Sequence, residues 1–306
     1  SLSHFGAPDA CAVGVSIVPT IGIIPMASSA IELRGVCKAF GGQQVIKDLS
    51  LAVPAQSIYA FLGNNGEGKS TTIRMVTGLL RPDQGSISVL GLDLQARRQA
   101  ILRELGALVD APCFYPNLTA GEFLRIGCTL KGLRRTEIDR VLELVGLGAA
   151  RDRQISKFSL GMKQRMALAH ALLGSPKLLI LDEPSNGLDP EGKRDMRTLL
   201  ASLPAQSGVT VFVSSHNLDE VEKMATHVAV LKGGALRFQG SMAELQSRHA
   251  GMLAIDVGDA AHAVRLLSEA SYQVEGGSQQ QVIVRGVPRE SADTVHALLV
   301  HAGVRL

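Results

Sequence analysis

The chain lacks the features that mark several large classes of protein. Its 31 basic and 28 acidic residues leave a formal net charge of only +3. These charges are scattered, and no basic face of the kind that binds nucleic acid is evident. The one dense basic cluster, residues 131–135, is short and typical of a solvated helix end. With no sustained heptads either, the sequence argues against a nucleic-acid partner and against a coiled coil.

Cysteine is also scarce. The four cysteines, Cys11, Cys37, Cys113 and Cys128, show neither metal-type spacing nor a pairing pattern. They fit a reducing compartment such as the cytoplasm.

Residues 10–31 form the longest uncharged run. A membrane or signal segment is one interpretation, but Pro19 and Pro25 interrupt the run and no Lys or Arg precedes it, whereas a secretory signal begins with positive charge. We therefore expect residues 1–29 to be an N-terminal extension, disordered or non-native, with Met26 as a candidate first residue. No other run is apolar enough to span a membrane, so a membrane role requires a partner chain.

Alternating strand and helix patterns predict an α/β domain over residues 30–240. Short, nearly all-apolar runs at 177–181 and 209–214 are typical of strands buried on both faces of a helix-covered parallel sheet. Residues 31–36 and 49–53 predict an antiparallel β edge, and residues 116–174 predict a helical insert lobe. Residues 241–306 follow a β-α-β-β-α pattern and predict a small α+β accessory domain.

A glycine-rich turn between the predicted strand 57–62 and the predicted helix 70–80 carries the strongest chemical signal, because it fits the phosphate-loop pattern G-x-x-x-x-G-K-[ST]. Its residues are Gly63, Asn64, Asn65, Gly66, Glu67, Gly68, Lys69 and Ser70, with Thr71 next in the helix. The glycines let backbone N–H groups surround a phosphate chain, and the following helix points its positive end at that chain. We expect Lys69 to contact the β- and γ-phosphates of a nucleotide and Ser70 to offer its hydroxyl to Mg²⁺.

Two acids, Asp182 and Glu183, follow the apolar run 178–181 at the carboxyl end of a predicted buried strand. Sheets of this class bind their ligands at such strand ends. Taken alone, the pair could simply terminate a strand, but together with the phosphate loop it predicts a metal site. Asp182 is then the Mg²⁺ residue, and Glu183 is the general base that polarises the attacking water.

Four further segments lie before, between and after these two motifs. They are Phe40, Phe158-Ser159-Leu160-Gly161-Met162-Lys163-Gln164-Arg165, Asn186-Gly187-Leu188-Asp189-Pro190 and Ser214-Ser215-His216. These segments resemble the adenine-stacking aromatic, signature segment, D-loop and H-loop of the ABC ATPases. The resemblance covers about residues 31–240, and it implies ATP binding and hydrolysis by a P-loop NTPase of the ABC-ATPase fold with a mixed β-sheet core.

The resemblance also implies a composite site shared by two copies of the chain. Ser159 and Gly161 would start a helix whose N-terminus binds the ATP phosphate held by the facing copy, and Asp189 would make contacts across the dimer. His216 would contact the γ-phosphate and orient the water. Each residue has a plainer alternative, since Ser159 and Asp189 are ordinary N-cap residues and His216 could cap the helix that follows it.

Phe40 is followed by two glycines, a turn that would leave its ring near the surface. We therefore favour adenine stacking over a core position for Phe40. The bulky Leu160 and the Met162 side chain depart from the commoner signature sequence, which leaves main-chain contacts intact but puts side-chain contacts from residue 162 in doubt.

Asp110 stands where most ABC ATPases carry a metal-contacting Gln, and residues 107–124 resemble the branch that exports peptide antibiotics of the bacitracin and lantibiotic kind. A carboxylate can face Mg²⁺ directly or through water, so Asp110 is a candidate metal ligand. The alternative is that Asp110 only starts a surface turn.

The leading hypothesis is the ATP-hydrolysing motor subunit of an ABC transporter that exports a drug or peptide antibiotic. It would form a homodimer on binding ATP and Mg²⁺, and would lie at the inner face of the cell membrane through a separate permease. Phe114, Tyr115 and Pro116 lie where the family places permease docking. The alternatives are a non-transport ABC ATPase and a nucleotide-sensing binding protein with a silent ATPase site.

Overall fold

The computed structural model of the chain describes residues 29–109, 113–249, 252–276, 281–287 and 291–305. Almost all of the expected N-terminal extension lies outside these residues. Asp110 lies outside them as well. Within the described ranges, no helix is long and apolar enough to cross a bilayer.

The elements of the first and larger part of the chain alternate between strands and helices. In order they are β1 (Ser29–Phe40), β2 (Gln43–Pro54), β3 (Ile58–Leu62), α1 (Lys69–Val76), β4 (Gln84–Val89), β5 (Leu92–Asp93), α2 (Arg98–Arg103), β6 (Leu105–Leu108), α3 (Ala120–Lys131), α4 (Thr136–Leu144), α5 (Leu160–Ala171), β7 (Leu178–Leu181), α6 (Pro190–Ser207), β8 (Thr210–Ser215), α7 (Leu218–Glu222), β9 (His227–Lys232), β10 (Ala235–Ser241) and α8 (Met242–His249).

The N-terminal sheet is antiparallel, in the order β2-β1-β4-β5. Its two long strands, β1 and β2, form a hairpin that turns at Gly41 and Gly42. Both glycines have positive φ, 54° and 83°, a conformation that costs a glycine little because it has no Cβ. The turn places Phe40 at the tip of the hairpin.

The central sheet has six strands in the order β10-β9-β3-β8-β7-β6. All neighbouring pairs are parallel except β10 with β9, which form an antiparallel hairpin. Every residue of β3, β7 and β8 is buried, which accounts for the apolar runs 58–62, 178–181 and 211–213 in these strands. The predicted α/β fold with a mixed sheet and an antiparallel edge is confirmed.

The two faces of the central sheet build two cores. Alternate residues of its strands, such as Tyr59, Phe61 and Phe212, face the antiparallel sheet and α1. The residues between them, such as Leu179 and Val213, face the helices of the insert and α6. The carboxyl ends of β3, β7 and β8 therefore meet at one edge between two rigid layers.

The helical insert contains α3, α4 and α5, as the sequence predicts. The start of α3 has a capping box: Thr119 Oγ1 accepts from the Glu122 backbone nitrogen, and Glu122 Oε2 accepts from the Thr119 nitrogen. The Glu122 carboxylate also accepts from the Thr119 hydroxyl, and its hydrogen bonds from the Thr119 nitrogen and hydroxyl hold the pKa of Glu122 below its ordinary value. At the other end, Gly132 terminates α3 in the left-handed conformation, with φ of 66°.

A third sheet follows, with its own core. Its elements are β11 (Met252–Asp256), α9 (Ala260–Glu269), β12 (Gln273–Gly276), β13 (Gln281–Arg285) and α10 (Ala292–His301), and the antiparallel strand order is β11-β13-β12. The preceding helix α8 instead packs Met242 and Leu245 into the core of the central sheet. We therefore propose that the boundary between the two units lies after α8, near residue 250, rather than at residue 240.

Candidate nucleotide-binding and hydrolysis site

The phosphate loop joins β3 to α1 through six residues. Gly66 and Gly68 have φ of 85° and 98°, which favours glycine. A Cβ at Gly68 would also collide with Ile46 of β2. The turn thus requires glycine at residue 68 both for its backbone conformation and for its close contact with the neighbouring strand.

Lys69 begins α1 and is only 5% exposed. Its Nζ donates to the carbonyl oxygens of Gly63 at 2.7 Å and Asn64 at 3.2 Å, and it lies 3.3 Å from Glu183 Oε1. The ammonium group is therefore held inside its own loop and is balanced by a single carboxylate. A phosphate group can take the place of that carboxylate as the counter-ion.

The remaining residues of the phosphate loop differ in how exposed they are and in what they contact. Asn64, Asn65 and Gly66 are exposed, and Ser70 and Thr71 are half-buried at the start of the helix. Glu67 instead accepts a short hydrogen bond from the Gly233 nitrogen in the β9–β10 turn. Glu67 therefore anchors the loop to the sheet, a contact that its position in the motif does not reveal.

Asp182 and Glu183 follow β7 directly and are held by Ser214 of β8. The Ser214 hydroxyl donates to Asp182 Oδ1 at 2.6 Å and accepts from the Glu183 backbone nitrogen at 2.9 Å. Glu183 has φ of 47°, the left-handed region that non-glycine residues seldom adopt. The motifs alone assign Ser214 no role of its own, although a hydroxyl that follows an apolar run at the end of a buried strand is a usable signal.

His216 contacts Glu183 from the end of β8, with Nδ1 2.7 Å from Glu183 Oε2. Because an ionised carboxylate only accepts, Nδ1 carries the proton in this pair and Nε2 faces away from it. The helix α7 is capped by Asn217, whose side chain accepts from the Glu220 nitrogen. Capping therefore belongs to Asn217, and His216 lies in the cluster with Lys69 and Glu183.

Ser70 at the start of α1 and Asp182 directly after β7 are the residues whose side-chain oxygens suit Mg²⁺. Within the described ranges, no group of three or more His, Cys, Asp or Glu residues could hold a metal ion. This donor set fits Mg²⁺, which keeps several waters and is commonly bound by one or two protein ligands together with substrate phosphates.

Phe40 lies at the hairpin tip and is 48% exposed. The Lys38 ammonium lies 5.5 Å from the centre of its ring and also 2.6 Å from Asp83 Oδ1. Asp83 further accepts from the Ala39 nitrogen, and these hydrogen bonds lower the pKa of Asp83. The tip that carries the ring is thus tied to the loop before β4.

Ser159 and Asp189 form caps in the described structure. Ser159 accepts from the Met162 nitrogen at 3.2 Å at the start of α5, and Asp189 accepts from the Gly192 nitrogen at 3.0 Å at the start of α6. The two caps are neighbours, because Leu160 approaches Gly187 and Leu188 approaches Gly161. Within the part of the chain described, these side-chain hydrogen bonds of Ser159 and Asp189 are to their own helices and not to the Lys69 cluster.

A sequence profile described as ABC transporter matches residues 46–186, a range that contains the phosphate loop and both acids. The bacitracin transport ATP-binding protein BcrA of Bacillus licheniformis is 42% identical over 243 residues, which cover 79% of this chain and 79% of BcrA. The chain belongs to the ABC transporter family. It is an ATP-binding subunit and an ATPase of that family.

Other relatives agree with this assignment. The lantibiotic transport ATP-binding protein SrtF of Streptococcus pyogenes is 37% identical over 206 residues, covering 67% of this chain and 88% of SrtF. The structure of cbiO1 from Clostridium perfringens, described as part of the ABC transporter complex cbiONQ, superposes with a TM-score of 0.66 at 27% identity. That match covers 72% of this chain and 92% of cbiO1. The suspected likeness to the bacitracin and lantibiotic branch of ABC proteins is confirmed.

Proposed function

We propose that this ATPase is the motor subunit of an exporter for a drug or peptide antibiotic, and that Lys69, Asp182, Glu183 and His216 form its hydrolytic centre. The convergence of Lys69 and His216 on the two oxygens of Glu183, at 3.3 Å and 2.7 Å, supports the assignment most strongly. The three residues come from the start of α1 and the ends of β7 and β8. Only the fold brings them together.

In this proposal each residue has one task. Lys69 and the loop amides bind the phosphates, Phe40 stacks on the adenine, and Glu183 accepts a proton from the attacking water. Ser70 and Asp182 hold Mg²⁺, with Asp110 as a further candidate outside the described residues. The bound ion supplies positive charge that neutralises the phosphate oxygens. His216 donates to Glu183 and so keeps the carboxylate oriented.

The composite site is the second part of the proposal. Ser159 and Gly161 lie at the N-terminus of α5, where unpaired amides and the helix dipole favour an anion. We propose that the helix binds the γ-phosphate of ATP held by a second copy, with Asp189 at the same interface. Closure of the dimer would then move a separate permease docked on the helical insert. Tyr115 is 64% exposed there, whereas the Phe114 ring packs 5.2 Å from Phe123.

Gel filtration of a Glu183→Gln variant in Mg²⁺-ATP tests this proposal. The variant should accumulate as an ATP-bound dimer and return to monomer when ATP is removed, because an amide cannot accept the proton of the water. A variant that binds ATP and elutes only as monomer would count against the shared site. Pull-down of a polytopic membrane protein by the same dimer tests the permease, and recovery of ribosomes instead would contradict the transport role.

A further inference from the structure

Ser214 connects the two acids of the site through a single hydroxyl group. The side chain is 0% exposed, on a strand that lies between β3 and β7. Val213 is paired with Leu181, the last residue of β7, so Ser214 stands beside Asp182. Its oxygen bonds to the side chain of Asp182 and to the backbone of Glu183, at 2.6 Å and 2.9 Å.

The chemistry of the three groups fixes the direction of both hydrogen bonds. A backbone N–H can only donate, so the Ser214 oxygen accepts from Glu183. An ionised carboxylate can only accept, so the one Ser214 proton points to Asp182 Oδ1. Asp182 Oδ1 is therefore oriented by a residue of β8. The remaining lone pairs of the Asp182 carboxylate point away from Ser214. A hydroxyl is the smallest side-chain group that can satisfy both partners at once.

The Ser214 contact also helps to hold the backbone conformation of Glu183. A non-glycine residue with φ of 47° is strained, and such strain persists only where the surrounding contacts over-determine it. The Glu183 nitrogen is held by Ser214, and its carbonyl oxygen accepts from the Asn186 nitrogen at 3.0 Å. The left-handed conformation directs the carboxylate to Lys69 and His216. Loss of the Ser214 contact would free the Glu183 nitrogen, one of the two backbone groups that hold this strained conformation.

We propose that Ser214 is a positioning residue for ATP hydrolysis, which fixes the Asp182 carboxylate and the strained Glu183 backbone relative to each other. This inference rests on the roles proposed above for Asp182 and Glu183. Ser214 is fully buried and would act through these two residues. Its removal should therefore act on the rate of hydrolysis and on the response to Mg²⁺, and leave metal-free nucleotide binding unchanged.

The test compares Ser214→Ala and Ser214→Thr with the wild-type chain. Ser214→Ala should lower kcat about tenfold or more, since both partly buried partners lose their hydrogen bond. The dissociation constant of ATP in EDTA should stay within about twofold, because Lys69 and the loop are untouched. The gain in ATP affinity on adding Mg²⁺ should shrink several-fold. Ser214→Thr keeps the hydroxyl and should recover most of kcat.

Ser57→Ala is the matched control. Ser57 is a 5% exposed serine before β3, at the opposite end of that strand from the phosphate loop, and its hydroxyl donates to the Pro54 carbonyl at 2.7 Å. The control should lower the melting temperature to a similar extent and leave kcat unchanged. Equal loss of kcat in both variants would overturn the proposal, because Ser214 would then be merely structural. A wild-type kcat in Ser214→Ala, or a Ser214→Thr variant as slow as Ser214→Ala, would overturn it too.

Two further variants keep the test decisive. If Ser214→Ala does not fold, Ser214→Cys replaces the hydroxyl by a weak donor of similar shape, and kcat reduced at a wild-type melting temperature would support the proposal. Wild-type kcat in that variant would overturn it. Glu183→Gln, measured alongside, separates the two claims: an active Glu183→Gln refutes the hydrolytic centre, whereas an inactive Glu183→Gln with an active Ser214→Ala refutes the role of Ser214 alone.

Discussion

Lys69 and Glu183 form an ion pair across the site, with Nζ 3.3 Å from Oε1. The lysine comes from the start of α1 and the glutamate from the end of β7. Lys69 is buried, and the Glu183 carboxylate balances its charge. In the proposed mechanism a phosphate of ATP takes the place of that carboxylate, which frees Glu183 for its proposed role as general base.

Replacing Glu183 by Gln should separate hydrolysis from binding. We expect kcat to fall about 10²–10⁴-fold, since the proposed general base is lost. ATP affinity should be equal to that of the wild type or higher, because the competing carboxylate charge is gone from Lys69. Steady-state turnover and calorimetry measure the two effects. Glu104→Gln, which removes a surface ion pair with Lys177 at 3.4 Å, is the control and should change neither.

Replacing Lys69 by Ala should abolish tight ATP binding. The loss of a charge-assisted contact to phosphate is worth about 1.5–3 kcal/mol, or roughly 10–100-fold in affinity. Titration calorimetry with Mg²⁺-ATP measures the change, and the exposed Lys177→Ala serves as control. An affinity like that of the wild type in Lys69→Ala would mean that another residue binds the phosphates.

Phe40→Ala should weaken every nucleotide to a similar degree. Stacking on an aromatic ring contributes about 1–3 kcal/mol per base and tolerates any base, so ATP and GTP affinities should fall together. Phe40→Tyr keeps the ring and should bind both nucleotides normally. Unchanged affinity in Phe40→Ala would show that the exposed ring has no part in nucleotide binding.

The sequence was sufficient to predict the elements whose patterns are local. The apolar runs of β3, β7 and β8, the helices α3 to α5 and the glycine turn at residue 41 all lie within a few residues of their predicted positions. The strand β6 was not predicted, and of α6 only the possible N-cap at Asp189 was anticipated, since neither element has a strong pattern of its own. β6 has four residues at one edge of the sheet, and α6 contains Pro204 near its end.

The site was predictable as a set of motifs but not as a set of contacts. The order of the motifs was enough to predict Lys69, Asp182, Glu183 and His216 as site residues. The pairing of His216 with Glu183, however, depends on the adjacency of β7 and β8. The role of Ser214 depends on the same adjacency. Neither contact can be read from spacing along a chain in which the partners are more than thirty residues apart.

Stability should fall as the pH is lowered from neutral. Burial lowers the pKa of His170 below its ordinary value of 6.5, and the nearby Lys131 ammonium lowers it further. Above pH 6.5 the histidine is neutral in both states and its burial costs nothing extra. As the pH falls below that value, the unfolded chain takes up the proton first, so the stability is progressively lost down to the lowered pKa of the folded state.

The variant that checks this pH dependence is His170→Gln, which cannot titrate. Its melting temperature should fall less than that of the wild type between about pH 7.5 and 5.5. His227, whose pKa is also lowered by burial, should preserve part of the slope. The exposed His301→Gln is the control for removal of a surface histidine. An unchanged slope in His170→Gln would mean that the acid sensitivity arises elsewhere.

Substitutions at Ser159 can separate helix capping from phosphate contact. Asn and Asp are as good as Ser at an N-cap, so Ser159→Asn and Ser159→Asp should both keep the melting temperature, while Ser159→Ala should lose about 1 kcal/mol of stability. Only Asp adds a negative charge at the helix end that, in the proposed dimer, would face the ATP of the other copy. We therefore expect Ser159→Asp to block ATP-driven dimerisation and hydrolysis, and Ser159→Asn to retain both. If the Asp variant dimerises and turns over ATP as the Asn variant does, Ser159 is a cap and nothing more, and the phosphate of the second copy lies elsewhere.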